Sequence, residues 1–513
     1  MSMTAPPMTT RRTALRLGAA GSLLGAVGLT AGCGSAADSE GTGALRIAQP
    51  SEPTGLDPHL ESGLDGMNVL INIFDTLTMR DTKNELVPRL ATHWEATDEH
   101  HWRFRLRKGV TFHNGEPFDA RSVKFSIERL IDPDTGSTIV ELRSVDHVEI
   151  IDDHTVDIVM AEPDPVIPEK VSLFGGVMLP ADHFADVGAK GFAAHPIGTG
   201  PFRFVSWRKA QLLRLAAYAD HWNGRPAFGE LHFTAMPNPA SALAGIQSDA
   251  VDLVSALDPE AALQLEGYKD VSLTTHPGIR MYFVVLDTEH EVLKDARVRR
   301  ALNHAVDVPL LISAVLNDSG REAATIVPRE AFGYDPDVKP PKRDPDEARR
   351  LLADAGHADG LTLSFTASNK DQLVSQALAG MLEDVGVTLE LEILEPGTFA
   401  ERLASDDPSS LGSMYLTGST GWTLDGEATM QSYIRSDRKR SRIRSPEADE
   451  MIDALEQTID PDARLKTFRR MQEWLHDEAP FLFLYQADQN FASNKRIEWT
   501  PNVNGTLAME TAR

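Results

Sequence analysis

The pentapeptide HEVLK, His290 to Lys294, carries a histidine and a glutamate in the order a zinc protease uses. That chemistry needs a second histidine one helical turn on, and Lys294 stands there instead. SWRK, Ser206 to Lys209, has the spacing of a serine–lysine nucleophile. The pair works when one helical turn brings both side chains to one face, whereas this segment reads as a strand end and a turn. No G-x-S-x-G occurs, and the Gly-Thr-Gly at 198–200 lacks the length and the lysine of a phosphate-binding loop. His100 and His101 are adjacent, so on a strand they point to opposite faces and cannot chelate together. DPDTG, from Asp132, begins like a calcium loop, but its twelfth position is Arg143 in place of a bidentate glutamate. The sixteen histidines show no paired ligand spacing. The sequence therefore predicts no enzyme, no metal site and no cofactor.

The one cysteine, Cys33, lies in LTAGCGS between two glycines, at the exit of a leader. Arg11, Arg12 and Arg16 give that leader a positive start, and residues 1–33 hold no acidic side chain. The apolar run from Leu17 to Gly32 has sixteen residues, five of them glycine. A membrane span needs about 20, which disfavours a retained anchor and fits the hydrophobic region of an export signal. TTRRTALRL resembles a twin-arginine leader with Ala14 at the usual apolar position, so folded and unfolded export both stay open. LTAGC resembles a relaxed lipobox, with leucine four positions before Cys33. The expectation is cleavage before Cys33, lipidation of its sulfur, and attachment to the outer face of the cytoplasmic membrane. Two or more acyl chains would hold the protein there stably.

With Cys33 spent, no internal disulfide can form, and stability must come from buried surface. The roughly 480 residues after the leader predict two or three domains, and 42% hydrophobic content suffices for real cores. The formal net charge of −26 repels nucleic acid and anionic headgroups. RSDRKRSRIR, Arg435 to Arg444, has no interleaved aromatics and reads as a solvated loop.

The elements that would carry a site can be read in order. GSAADSEGTG, residues 34–43, is a tether, and order begins at LRIAQP. Trp102, Phe104 and Leu106 alternate with arginines on a strand; HNGEP turns the chain, and Asp119 caps a helix burying Val123, Ile127 and Leu130. A hairpin follows, turning at Asp152-Asp153. In DPDEARRLLADAG, Asp344 caps, Pro345 opens the helix, Glu347 completes a capping box and Gly356 ends it. TLSFTAS, QLVSQALAGMLEDVG and TLELEIL then form a βαβ unit, implying a parallel pair. The last helical pattern, Ala448 to His476, breaks at Asp460-Pro461.

Six blocks resemble, in order, the extracellular solute-binding proteins of the oligopeptide, dipeptide and nickel family, family 5, which serve ABC importers. They are LVPRLATHWEATDEHHWRFRLRKGVTFHNGEPFDARSVKFSIERL, HPIGTGPFRFVSW, YADHWNGRPAFGELHFTAM, DARVRRALNHAVD, DPDEARRLLADAG and EAPFLFLYQADQN. The resemblance implies an α/β fold of two lobes on a hinge, the type II periplasmic-binding-protein fold, with an extra subdomain on the first. Lobe I would comprise 44–85, 198–275 and 484–513, the subdomain 86–197, and lobe II 276–483. It further implies a monomer that captures a peptide or other small molecule between its lobes and delivers it to membrane permease subunits. A nickel chelate, sugar or opine is the alternative cargo, and a surface sensor without transport the alternative role.

The resemblance also nominates site residues. Relatives carry a W-x-x-D element whose aspartate pairs with a peptide's α-ammonium, and Trp422 and Asp425 match it, with Thr423 between them. A carboxylate suits the task because it accepts several charge-assisted hydrogen bonds from one ammonium. Relatives continue with a tyrosine and soon a proline, where this chain has Gly426, Glu427 and Ala428. On the first lobe, LDPHLESGLDG nominates Glu61, Ser62 and Gly63 as contacts to the peptide backbone, or else as a helix-entry turn.

Overall fold

In the computed structural model, which describes residues 42–513, one mixed sheet of eleven strands runs through the molecule. The leader, Cys33 and nearly all of the tether lie outside the described residues. The axis of the sheet is a pair of long antiparallel strands, Val271–Leu286 and Phe481–Asn494. To one side lie, in order, Leu253–Leu257, Thr42–Gln49, Phe228–Ala235, Leu212–Ala217 and Phe202–Arg208. To the other lie Met414–Thr420, Leu361–Ser368 and Val387–Leu394. The axial ladder breaks between Pro277 and Met281 and again between Tyr282 and Phe283. Pro277 has no amide hydrogen to give. Gly278 lets the carbonyl of Ala487 come within 2.5 Å of where a Cβ would stand. The eleventh strand, Gly320–Glu322, pairs with Tyr485–Ala487 beside this break, and Gln486 Nε2 donates across it to the Gly278 carbonyl at 2.6 Å.

Beyond the break the strands bury both faces, at the two-residue period a sheet imposes. Val284, Leu286 and Leu416 pack with Ala301, Leu302 and Leu378 on one face. Phe283, Val285 and Tyr415 pack with Met430, Tyr433, Met451 and Phe468 on the other. Leu361–Ser368 and Val387–Leu394 pair in parallel across the helix Gln372–Glu383, as a βαβ unit must. Helix Pro345–Asp354 is capped by Asp344, whose carboxylate accepts from the Glu347 amide at 3.0 Å. Only half of the capping box forms, because Glu347 turns to Arg350 instead. Asp460 caps Pro461–Glu478 and separates it from Pro446–Gln457.

A second sheet, ordered Ala91–Asp98, His101–Leu106, Thr155–Met160 and Val145–Asp152, stands apart from the first. Helix Ala120–Ile131 packs on it through Val123, Ile127 and Leu130, and the Asp119 carboxylate accepts from the Arg121 amide. The Gly-Thr-Gly at 198–200 joins this region to the first. A Cβ on Gly198 would stand 2.1 Å from the Ile73 carbonyl oxygen, to which the Gly200 amide donates at 2.9 Å. The C-terminal segment returns to the same place: Asn72 donates to the Leu507 carbonyl and accepts from the Met509 amide.

Segment 435–444 departs from the solvated loop its composition suggested. Ser441, Arg442 and Ile443 are buried, and the Tyr415 hydroxyl donates to the Arg440 carbonyl. Arg435 pairs with Asp453 and Glu456. The neighbouring acidic helix neutralises the run, so it can pack rather than face water.

Candidate functional site

The carboxyl ends of Met414–Thr420 and Leu361–Ser368 point toward the ladder break, and ligands of α/β sheets gather at such ends. Strand Met414–Thr420 leaves the sheet at Gly421, and the loop to helix Glu427–Tyr433 carries Trp422, Thr423 and Asp425. Leu424 sits in the left-handed region at φ 55°, a conformation costing a bulky residue about 1–3 kcal/mol. Its surroundings enforce it. The Leu424 side chain packs with Ile279 and Val503, and its carbonyl accepts from the Phe332 amide at 2.8 Å. The Gly426 amide donates back to the Phe332 carbonyl at 3.0 Å.

Asp425 is 4% exposed and forms a two-pronged ion pair with Arg464, Nη1 to Oδ2 at 2.8 Å and Nη2 to Oδ1 at 3.0 Å. Oδ1 also accepts from the Glu427 amide at 3.0 Å. The guanidinium lies 5.2 Å from the centre of the Phe332 ring and 5.5 Å from that of Phe468. One lone pair, on Oδ2, is left for any further donor.

The loop meets the other side of the molecule directly. Trp422 stands edge-on to Phe174, with ring centres 5.7 Å apart. The Thr423 carbonyl accepts from Arg80 Nε at 3.3 Å and Nη2 at 3.1 Å. Arg80 reaches Glu169 at 3.8 Å, and Asn84 donates to the Glu330 carbonyl at 2.6 Å. Beside them Lys170 pairs with Asp164 at 2.5 Å.

The seam thus gathers four carboxylates, Asp164, Glu169, Asp425 and Glu427, against three cations, Arg80, Lys170 and Arg464. Burial pushes the Glu169 carboxyl up to about 7, with Arg80 opposing and Asp425 reinforcing the shift. Burial likewise pushes Glu427 up to about 7, opposed by Lys170. Glu427 is 5% exposed, and among the described residues its carboxylate has no hydrogen bond and no ion pair within 4.0 Å.

On the first side, the Glu61 carboxylate accepts from the Thr54 amide and hydroxyl at 2.7 and 2.8 Å, and from the Gly63 amide at 2.7 Å. Gly63 is the N-cap of helix Leu64–Ile73, and Ser62 is exposed, accepting from the Thr138 hydroxyl at 3.2 Å. This is the geometry of a helix-entry turn, and Glu61 fastens it. The structure brings Trp422, Thr423 and Asp425 to the seam with Arg80, Glu169 and Lys170, which motif reading did not single out. One signal for them was visible: VIPEKVSLFGG sets Glu169 and Lys170 inside an otherwise apolar run, where charges must find partners. Among the described residues no cluster of three or more His, Cys, Asp and Glu is placed to hold a metal ion.

Two sheet-based halves joined by a paired strand crossing, with a polar seam between them, define a two-lobed binding protein. Residues 85–441 match the family described as bacterial extracellular solute-binding proteins, family 5 Middle, and the chain belongs to that family. The dipeptide-binding protein of Escherichia coli is 25% identical over 478 residues, covering 86% of this chain and 88% of its own. The structure of HbpA2 from Haemophilus parasuis superposes with a TM-score of 0.82 at 21% identity, covering 92% of this chain and 99% of its own. The periplasmic binding protein DppA of Helicobacter pylori, in complex with the peptide STSA, gives 0.77 at 21% identity, covering 91% and 97%. The fold is the type II periplasmic-binding-protein fold. Family membership makes the chain a solute-binding component of transport and not an enzyme.

Proposed function

We propose that the chain captures peptides between its lobes and hands them unchanged to the permease of an ABC importer, held at the membrane through lipid on Cys33. The observation that carries the cargo is the seam itself. Asp164 pairs with Lys170 and Asp425 with Arg464, which leaves the buried Glu427 without a cation of its own where a ligand would touch both halves. A peptide's α-ammonium supplies the missing charge, and its backbone can pair with loop amides and carbonyls. Relatives named for dipeptides and glutathione, and one solved with a bound peptide, point the same way. Closure needs only that the ligand bind the closed form more tightly than the open one.

Mass spectrometry of ligand released from freshly purified protein tests the cargo: short peptides are expected, and a carried metal chelate or sugar would contradict it. The anchor has its own test. Cys33→Ser should release the protein from membranes into the soluble fraction, and an unchanged membrane fraction would remove the lipid from the account.

A further inference from the structure

We infer that in this chain Glu427, rather than Asp425, is the carboxylate that receives the ligand's ammonium; the inference rests on the peptide reading above. Asp425 has little left to offer. Arg464 takes both of its oxygens, the Glu427 amide takes a further lone pair, and both side chains of the pair are about 5% exposed or less. An ammonium arriving there would meet a carboxylate whose charge is already matched.

Glu427 is in the opposite condition. It is as buried as Asp425, yet its carboxylate has no donor among the described residues. Its oxygens are not among the sealed, unpartnered polar atoms of the described residues, so they stay within reach of water or of a ligand's donor while no side chain fills them. Its electrostatic neighbours are Lys170, Asp425, Asp164 and Glu456. Each is already spoken for: Lys170 by Asp164, Asp425 by Arg464, and Glu456 by Arg435 at 2.9 Å. Glu427 is therefore the seam carboxylate without a cation of its own, and an arriving ammonium would pair with it as its proton leaves. Lys170 and Asp164 belong to the segment carrying Phe174, so a cation at Glu427 also lies against the far wall. Glu427 follows Asp425 by two residues, in the first turn of helix Glu427–Tyr433.

The test is calorimetry with an alanyl dipeptide and its N-acetylated form, on the wild type and on Glu427→Gln, Glu427→Asp and Asp425→Asn. The inference expects Glu427→Gln to weaken the free-amine peptide at least tenfold while leaving the acetylated peptide within about twofold. Glu427→Asp should recover part of the loss. Asp425→Asn should lower the thermal midpoint far more than it lowers affinity per folded molecule. Unchanged affinity in Glu427→Gln, or a tenfold loss confined to Asp425→Asn, would overturn the inference. If the wild type takes neither peptide, the peptide reading fails by itself, and glycinamide, a bare α-ammonium, becomes the probe. A thermal shift by glycinamide that Glu427→Gln abolishes would then support the ammonium assignment, and no such shift would overturn it.

Discussion

An Arg464→Met variant should lose about 3–5 kcal/mol of stability, read as an earlier urea midpoint. The guanidinium is 5% exposed, packed between Phe332 and Phe468, and its partner Asp425 is 4% exposed. Removing the cation leaves Asp425 charged and dry, with only the Glu427 amide still bonded to it. Breaking a buried pair from one side costs far more than the pair itself contributes, because the survivor keeps its desolvation penalty. Replacing both partners, Asp425→Leu with Arg464→Met, should therefore recover most of the loss. A double variant as unstable as the single one would show that the loop depends on these two side chains for shape rather than for charge balance. The strained Leu424 makes that alternative concrete, since the loop it anchors is held by the main chain of Phe332 on both sides of Asp425.

Ligand capture should release a proton below neutral pH, and affinity should fall as pH falls. Burial, opposed by Lys170 and reinforced by Asp425, Asp164 and Glu456, holds Glu427 at about 7 in the free protein. At pH 6 most free molecules carry that proton, and an ammonium can only bind after it leaves. The ligand's charge favours the ionised form, so the bound state has the lower pKa. Affinity should therefore drop by up to tenfold per pH unit below about 7, and level off above it. Calorimetry in two buffers of different ionisation enthalpy measures the proton directly, and Glu427→Gln should erase the difference between buffers. The same shift acts on stability with the opposite sense. Glu169 and Glu427 hold protons in the folded chain up to about 7, well above their ordinary value of 4.5. The unfolded chain thus binds fewer protons between about 4.5 and 7, and stability of the ligand-free protein declines as pH rises through that window.

Much of the scaffold was legible because its determinants are local. Asp344, Asp119 and Asp460 cap the helices their sequence neighbours announce, and alternation at Trp102, Phe104 and Leu106 is decided within six residues. The site was legible only as a location. Trp422 and Asp425 do stand where the halves meet, but Asp425 found a partner 39 residues along the chain, on a helix whose facing no local pattern fixes. Glu61 shows the same limit on the other side, since a carboxylate in a glycine-flanked loop looks free until Thr54 is seen to fill it. Glu427 was passed over for the converse reason: a glutamate in a first helical turn is commonplace until its neighbours are known to be paired elsewhere.

The proposed capture of peptides depends on the two halves closing on a ligand held between them. Small-angle X-ray scattering of the protein, stripped of carried ligand and then titrated with short peptides, reads that motion most directly. The radius of gyration should shrink on saturation, with the midpoint matching the calorimetric affinity. Profiles that superpose with and without a peptide shown by calorimetry to bind would contradict the account.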